Sequence, residues 1–406
     1  MADSAAAPPA QQGRAYGFKP GVSDFELARV GPGTPGGELL RRYWHPIAES
    51  ADVKDLPLAV RILGEDLILF RAKSGRCGLL YPRCIHRGTS LFYGRVEEAG
   101  IRCCYHGWLF DVEGRCLDQP CEPQGGPARA NFRQPWHRVE ERYGLVWAYL
   151  GPPEHEPVLP RYELLEDLEG GKYELCADAH HKLSNDPQPS RINWLQRSEN
   201  TVDPFHVYVL HNNMGREQFH SLFTQRPDVR FELTETGVKA TAIRPIDAEF
   251  DVHRVNDLVF PNLAIVGDLR LHDFDRSVLF SWIVPVDDEH LLDIFVIRAT
   301  KDIIAKIRSG AYAHELLGEK LWDQMSAEEH QRTPWDYEAQ AGQGAITLHS
   351  EEHLATSDRG VVMYRRQLKE NMRAVAEGRT PLNVSFDAAA PPIRIAAGNY
   401  RAPRGQ

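Results

Sequence analysis

Between Glu199 and His211 the chain reads Glu-Asn-Thr-Val-Asp-Pro-Phe-His-Val-Tyr-Val-Leu-His. Two imidazoles, His206 and His211, stand five residues apart, with Asp203 three before the first and Asn200 three before that. Steps of three residues return to nearly the same helix face, so the spacing predicts one polar stripe through Asn200, Asp203 and His206. Five steps rotate an ideal helix by about 140°, so both histidines reach one metal only where the helix is distorted. Pro204 supplies a cause, since it offers no N–H to the carbonyl of Asn200 and its ring pushes that turn open. Two neutral imidazoles and one carboxylate form the facial set that suits non-haem Fe(II) and leaves positions open for oxygen. The carboxylate must come from elsewhere, because Asp203 is better placed to support a histidine than to share its metal. An amphipathic helix with two hydrogen-bonded histidines would read the same way, so this stretch alone does not decide.

Upstream stand Cys84-Ile85-His86-Arg87-Gly88 and Cys103-Cys104-Tyr105-His106-Gly107-Trp108. Read as C-x-H and C-x-x-H, they offer two thiolates and two imidazoles on two loops. Such a set holds either a tetrahedral zinc ion or a two-iron cluster in which one iron carries both cysteines and the other both histidines. The C-x-H pair is shorter than usual zinc spacing, each loop offers one ligand of each type, and a hydrophobic strand follows at once. These features favour a Rieske [2Fe–2S] centre formed by Cys84, His86, Cys103 and His106, with a potential high enough to accept electrons from a plant-type ferredoxin. Cys77, Cys116, Cys121 and Cys176 match no motif and read as core thiols.

The elements that must hold these groups follow from patterning. A chain of 406 residues with 42% hydrophobic and 26% charged content is expected to form two soluble domains. The net charge of −10 argues against a nucleic-acid surface. No apolar run approaches the ~20 residues of a membrane span, and the N-terminus has no secretory pattern. The cysteines then point to a reducing, cytoplasmic setting. Residues 1–20 read as a disordered tail. Residues 21–155 read as a β-rich cluster domain with an N-terminal helix that Thr34-Pro35 caps and Glu38–Trp44 continue, then strands near Ala59–Leu63, Leu67–Arg71, Gly78–Tyr81, Trp108–Asp111 and Leu145–Leu150. Gly151-Pro152-Pro153 marks the boundary. Residues 156–406 read as the mononuclear-metal domain, with a helix over Arg191–Asn212. Strands are expected near Lys172–Cys176, Val229–Glu235, Val238–Arg244, Leu258–Val266, Val278–Val284 and Leu291–Arg298, and helices near Asp302–Ser309, Ala311–Met325 and Gly360–Glu377. The order is α+β, an antiparallel sheet flanked by helices.

Cys84-x-His86-Arg87-Gly88, Cys103-x-x-His106-Gly107-Trp108 and Asn200-x-x-Asp203-x-x-His206-x4-His211 together resemble the catalytic α subunits of Rieske non-haem iron oxygenases, from about Arg41 to about Leu368. The resemblance implies a [2Fe–2S] cluster and a mononuclear Fe(II) held by His206 and His211. Within Trp335–Gly344, Asp336 aligns with the family's carboxylate ligand, and Glu338 is the reserve. The resemblance further implies a homotrimer in which Asp203 bridges His106 of one subunit and His206 of the next, and Asn200 beside the iron near bound oxygen or water. The family usually has proline where Cys104 stands, and a register with Cys104 as ligand would also give C-x-H; Cys103 is retained. Arg42–Pro46, Leu63–Leu67, Tyr93-Gly94 and Cys116–Pro123 resemble the branch that contains the dehydrodivanillate O-demethylase oxygenase, alongside phthalate-type enzymes. O-demethylation of a methoxylated aromatic acid is therefore expected. Ring mono- or cis-dihydroxylation of a phthalate-like acid, or N-demethylation, is the alternative. Phe260, Asn262 and Trp282 are the expected pocket residues. From Arg71 to Arg115 eight basic residues face four acidic ones, so a ferredoxin or an NAD(P)H-dependent reductase is expected to dock there, more slowly as salt rises.

Overall fold

The chain is described by a computed structural model for residues 19–405, apart from Ser184, Asp273 and Asp275; most of the tail expected over residues 1–20 lies outside the described residues. Short apolar runs between Gly, Pro and Asp turns fold in the first part as two antiparallel sheets. Six strands run in the spatial order Trp44–Glu49, Leu145–Tyr149, Trp136–Arg142, Cys77–Leu80, Glu65–Arg71, Leu58–Ile62. Four shorter ones, Arg95–Val96, Gly100–Arg102, Leu109–Asp111 and Cys116–Asp118, form a second sheet. This small sheet is inserted between Cys77–Leu80 and Trp136–Arg142, which pair directly with Leu79 opposite His137. It carries its own core, in which Leu91, Ile101, Trp108 and Phe110 surround the buried Cys84 and Cys103.

Gly151–Pro160 leads into the second half, anchored where Trp44 Nε1 donates to Pro157 O at 2.8 Å and Val158 N–H donates to Ser385 O at 2.8 Å. Here an eight-stranded sheet has the order Tyr173–Asp178, Leu291–Thr300, Val278–Pro285, Leu263–Gly267, Phe250–Val259, Gly237–Pro245, Asp228–Leu233. Gly398–Pro403 adds to Phe250–Val259, and every pairing is antiparallel. The helix Arg359–Ala376 buries Val361, Tyr364, Leu368 and Met372 against this sheet. The helix Trp194–Thr201 lies across three of its central strands and so holds the next turn of chain over the sheet. The main apolar core is continuous from one half to the other, with Trp147 packed edge-on against Trp282 at 5.0 Å.

Four expected elements change, each for a local reason. The helix over Glu38–Trp44 is Pro35–Leu40, and Trp44 opens a strand instead. That strand contains Pro46 and lies at the sheet edge, the position where a missing N–H is tolerated. The strand over Leu258–Val266 is two strands turned by Phe260-Pro261-Asn262, since proline cannot donate within a central strand. The helix Ala311–Met325 stops at Leu317, where Gly318 takes φ +87°, a backbone that glycine adopts more readily than any other residue. The helix over Arg191–Asn212 divides into Trp194–Thr201 and Pro204–Val209. Asp203 caps the second piece, its carboxylate accepting from Phe205 N–H at 3.0 Å, and Pro204 occupies the first turn, where its lost N–H costs nothing.

Candidate metal centres

Two turns of the same form build the first centre. Gly88 N–H donates to Cys84 O at 2.8 Å and Gly107 N–H to Cys103 O at 3.1 Å. Both glycines take left-handed φ, +78° and +73°, which a side chain disfavours; at Gly107 an added Cβ would also lie 2.6 Å from Pro120. The turns bring the His86 and His106 rings to 4.5 Å, and Trp108 stacks on His86 at 4.6 Å with planes 3° apart. Cys84 and Cys103 are buried while Cys104 is exposed, so the inward thiol of the second turn is Cys103. Burial pushes the Cys84 thiol up to about 12, with the neighbouring Cys103 adding to the rise; a cluster cation is what would hold it as thiolate. His106 Nδ1 is buried without a hydrogen bond. Among the described residues, two sets bring three or more donor atoms within 4.8 Å of one another: His206–His211–Asp336 and Glu49–Asp52–His180. The Cys84–His86–Cys103–His106 group is not one of them. A single zinc ion needs such convergence, whereas a two-iron cluster spreads its ligands over two metals. The residues fit a [2Fe–2S] cluster.

His206, His211 and Asp336 form the second centre, and they come from three local structures. His206 sits in the short helix Pro204–Val209, His211 in the turn just past it, and Asp336 at the start of the helix Asp336–Ala341. The two histidines therefore converge because the helix ends between them, not because one helix is kinked. Their rings lie 5.3 Å apart at 69°. Asp336 Oδ1 is 3.7 Å from His206 Nε2, and its Oδ2 is 3.3 Å from His211 Nε2. His211 Nε2 is fully buried yet lacks the alignment of a hydrogen bond, as expected of a lone pair aimed at a common ion. Burial alone would raise the Asp336 carboxyl, but His211, His206 and Arg197 outweigh it and hold it far below the usual carboxylate range. Burial likewise lowers the His206 imidazole, which favours the neutral ligand form. The donor set fits Fe(II).

A surrounding layer orients these three. His211 Nδ1–H donates to Gln218 Oε1 at 2.7 Å, and Gln218 Nε2 donates to Pro334 O at 3.0 Å, so one amide ties the histidine to the segment that carries Asp336. His206 Nδ1–H donates to the Asp203 carbonyl. Asn200 Nδ2 donates to Asp336 Oδ1 at 3.0 Å. Each contact leaves Nε2 or a carboxylate oxygen free to face inward. Glu338 turns away, accepting from Trp335 N–H at 2.8 Å and Trp322 Nε1 at 2.6 Å. The Asp203 carboxylate keeps 34% exposure.

The centre opens on a cavity of about 120 Å³ lined by Val207, Leu269, Leu279, Phe295 and Leu316, with Arg197, Asn200, Arg254 and Asn256 among its polar walls. That is the scale of the ~150 Å³ engineered cavity that admits benzene. Phe260, Asn262 and Trp282 do not line it; they border a separate small cavity with Tyr43 and Trp44. Phe260 and Asn262 sit in the turn between two strands, and for Trp282 the cause is strand parity, because side chains alternate between faces. Ala264, Val266, Leu279 and Ser281 face the centre, and the intervening residues face the core between the two halves. Asn262 spends its amide on Ile283 O at 2.6 Å. Gln218 and Arg254 were not anticipated from the sequence: Gln218 follows His211 by seven residues in a stretch without periodicity, and Arg254 reads as an ordinary strand arginine.

The excess of positive charge between Arg71 and Arg115 is largely neutralised in the fold. Arg71 pairs with Glu141, Arg76 and Arg115 with Glu113, Arg95 with Glu97, and Arg102 with Glu97 and Asp118. Two of these acids, Glu141 and Asp118, lie outside the counted stretch. Arg83 and Arg87 flank the first cluster loop, both exposed, Arg87 lying 5.5 Å over the Tyr105 ring. Exposed Ile85, Phe92, Tyr93 and Tyr105 surround them.

Among known proteins, residues 43–139 match the Rieske [2Fe-2S] domain. The phenoxybenzoate dioxygenase subunit alpha of Ectopseudomonas oleovorans is 49% identical over 96% of this chain and 94% of its own length. The 5,5'-dehydrodivanillate O-demethylase oxygenase subunit of Sphingobium sp. (strain NBRC 103272 / SYK-6) is 32% identical over 90% of this chain and 83% of its own. The crystal structure of dicamba monooxygenase bound to dicamba shares the fold, with a TM-score of 0.61 at 18% identity over 84% of this chain and 99% of the other. No helix among the described residues is long and apolar enough to cross a membrane.

Proposed function

The chain belongs to the α subunits of Rieske non-haem iron oxygenases, and we propose that within this family it catalyses O2-dependent O-demethylation of a methoxylated aromatic acid with one ring. It is an oxidoreductase of aromatic-degrading systems, with a [2Fe–2S] cluster and a mononuclear iron as cofactors. Cys84, His86, Cys103 and His106 hold the cluster, and His206, His211 and Asp336 hold the iron. The observation that carries the oxygenase reading is the convergence of those three side chains at the wall of a cavity sized for one ring; the methoxy substrate is supported by the likeness to the O-demethylase relative. The metals supply electron transfer and oxygen activation. The protein's part is to keep both imidazoles in the Nδ1–H tautomer through Gln218 and the Asp203 carbonyl, to fix the Asp336 carboxylate through Asn200, and to exclude water from the reacting carbon with Val207, Leu279 and Phe295. In net terms one oxygen atom of O2 enters a methoxy C–H bond and the other leaves as water, taking two electrons from the donor and two protons. The resulting hemiacetal collapses to formaldehyde and a phenol.

Electrons arrive from a ferredoxin or a reductase that meets the cluster loops beside Arg83 and Arg87, a reading supported by the oxygenase-subunit names of the relatives. The subunits assemble as a trimer in which Asp203 links His106 of one to His206 of the next; the partly exposed Asp203 carboxylate, one turn from the metal ligand, supports this. Ring dihydroxylation is the second reading, favoured by the 49% identical dioxygenase. Incubating reduced holoenzyme with methoxylated benzoates separates the two: formaldehyde with a phenol supports demethylation, and a cis-diol without formaldehyde rejects it.

A further inference from the structure

The strand Phe250–Val259 sends Arg254 and Asn256 to the same face, two residues apart, and both side chains line the cavity beside the candidate iron ligands. Arg254 is 3% exposed. Its Nη1 donates to the backbone carbonyl of Asp268 at 3.1 Å and to Asn399 Oδ1 at 3.3 Å, while its Nε–H is buried with no acceptor. The nearest acid, Asp268, raises its basicity but is occupied elsewhere, accepting from Tyr312 Oη at 2.6 Å and from His272 Nδ1 at 2.9 Å. Burial lowers the Arg254 guanidinium to about 10, which leaves it a cation at neutral pH. The other cationic wall residues are matched: Arg197 pairs with Asp293 at 2.9 Å, and His181 pairs with Asp186. Arg254 is thus the one arginine on this cavity wall without an ion pair among the described residues. Asn256 Oδ1, beside it, is also buried without a partner.

A second guanidinium adds to the positive potential. Arg244 is fully buried with both Nη groups unpartnered, and Arg244 and Arg254 lie 4.9 and 5.2 Å over the same Phe223 ring. A buried cation without an ion pair is costly unless an anion completes it. Away from the metal ligands, Val207, Leu269, Leu279, Phe295 and Leu316 give the cavity an apolar side. A ligand that satisfies both requirements has one flat apolar ring and one small anionic group.

We propose that Arg254, assisted by Asn256, is the carboxylate anchor of the active site, and that it orients an aromatic acid with its ring against Leu279 and Phe295 and its reacting substituent toward His206, His211 and Asp336. The inference rests on the oxygenase reading and names the residue that recognises the acid group of its substrate. The guanidinium binds the carboxylate through a charge-assisted hydrogen bond, so it sets which end of the ring reaches the metal.

The test uses anaerobic holoenzyme with 3-methoxybenzoate, its methyl ester and its primary amide as calorimetric probes, with iron content and cluster absorption as controls. The parent is expected to bind the acid more tightly than either neutral probe. Arg254→Met should weaken acid binding roughly 10- to 100-fold and leave the ester and amide little changed. Arg254→Lys should retain part of the preference, which separates a charge contact from altered packing. An acid preference that survives Arg254→Met, or equal losses for acid and ester, overturns the proposal. Acid preference lost in Arg254→Met without formaldehyde from the parent would leave the anchor standing and reject demethylation; formaldehyde without any acid preference would do the reverse.

Discussion

Replacing Gln218 by methionine keeps the length of the side chain and removes both of its side-chain hydrogen bonds, to His211 Nδ1–H and to Pro334 O. His211 is fully buried, so no water replaces the lost acceptor. Each orphaned buried group costs about 1–3 kcal/mol, which sets an upper bound of roughly 6 kcal/mol on the loss of stability. More telling is the effect on metal binding. Without Gln218 the His211 ring is free to take the other tautomer and to rotate. Loss of such a supporting contact lowers metal affinity or activity by roughly 10- to 100-fold, about 1.4–2.7 kcal/mol. Equilibrium dialysis of Fe(II) against the apo-mononuclear protein, with the cluster absorption as a check on folding, measures this directly. An affinity for iron equal to that of the parent, with turnover unchanged, would show that Gln218 only packs.

Further outcomes follow from the same geometry. Asp203→Asn is expected to retain both metals while slowing cluster reoxidation and product formation roughly 10- to 100-fold, measured by stopped-flow absorption; unaltered turnover would refute the inter-subunit link. Cys103→Ser should abolish the cluster spectrum and Cys104→Ser should leave it intact, and the opposite pattern would move the ligand by one residue. Burial lowers the fully buried His45 to about 4 from 6.5. Its contribution is therefore complete above the unfolded value near 6.5 and is lost as pH falls towards 4, at most about 3 kcal/mol. Urea midpoints of the parent and His45→Asn should converge across that window; parallel curves would show that His45 does not drive acid destabilisation.

The cluster loops were legible in the sequence because their ligands are local: Cys84 to Gly88 and Cys103 to Gly107 each close one turn, and spacing encodes the turn. The histidine pair was legible as chemistry but not as geometry, since the Asp203-Pro204 cap divides the helix and the end of the second piece, not a kink, swings His211 inward. Asp336 came from resemblance alone, because a contact across more than a hundred residues leaves no periodic trace. Phe260 and Asn262 fell in a turn rather than a strand, and Trp282 was misplaced by one residue of strand parity. Val278–Pro285 is buried on both faces, so no polar alternation distinguishes the Ser281 side, which meets the metal centre, from the Trp282 side, which meets the core. Arg254 and Gln218 owe their significance to partners they lack or join through the tertiary fold.

The central claim is that a histidine-ligated iron–sulfur cluster feeds a separate iron held by His206, His211 and Asp336. Iron and acid-labile sulfide measured on purified parent and His206→Ala protein test it most directly. The parent should contain iron in excess of sulfide, and His206→Ala should lose that excess while its sulfide and red-brown absorption persist. Zinc in place of sulfide, or an iron excess unaltered by His206→Ala, would contradict it.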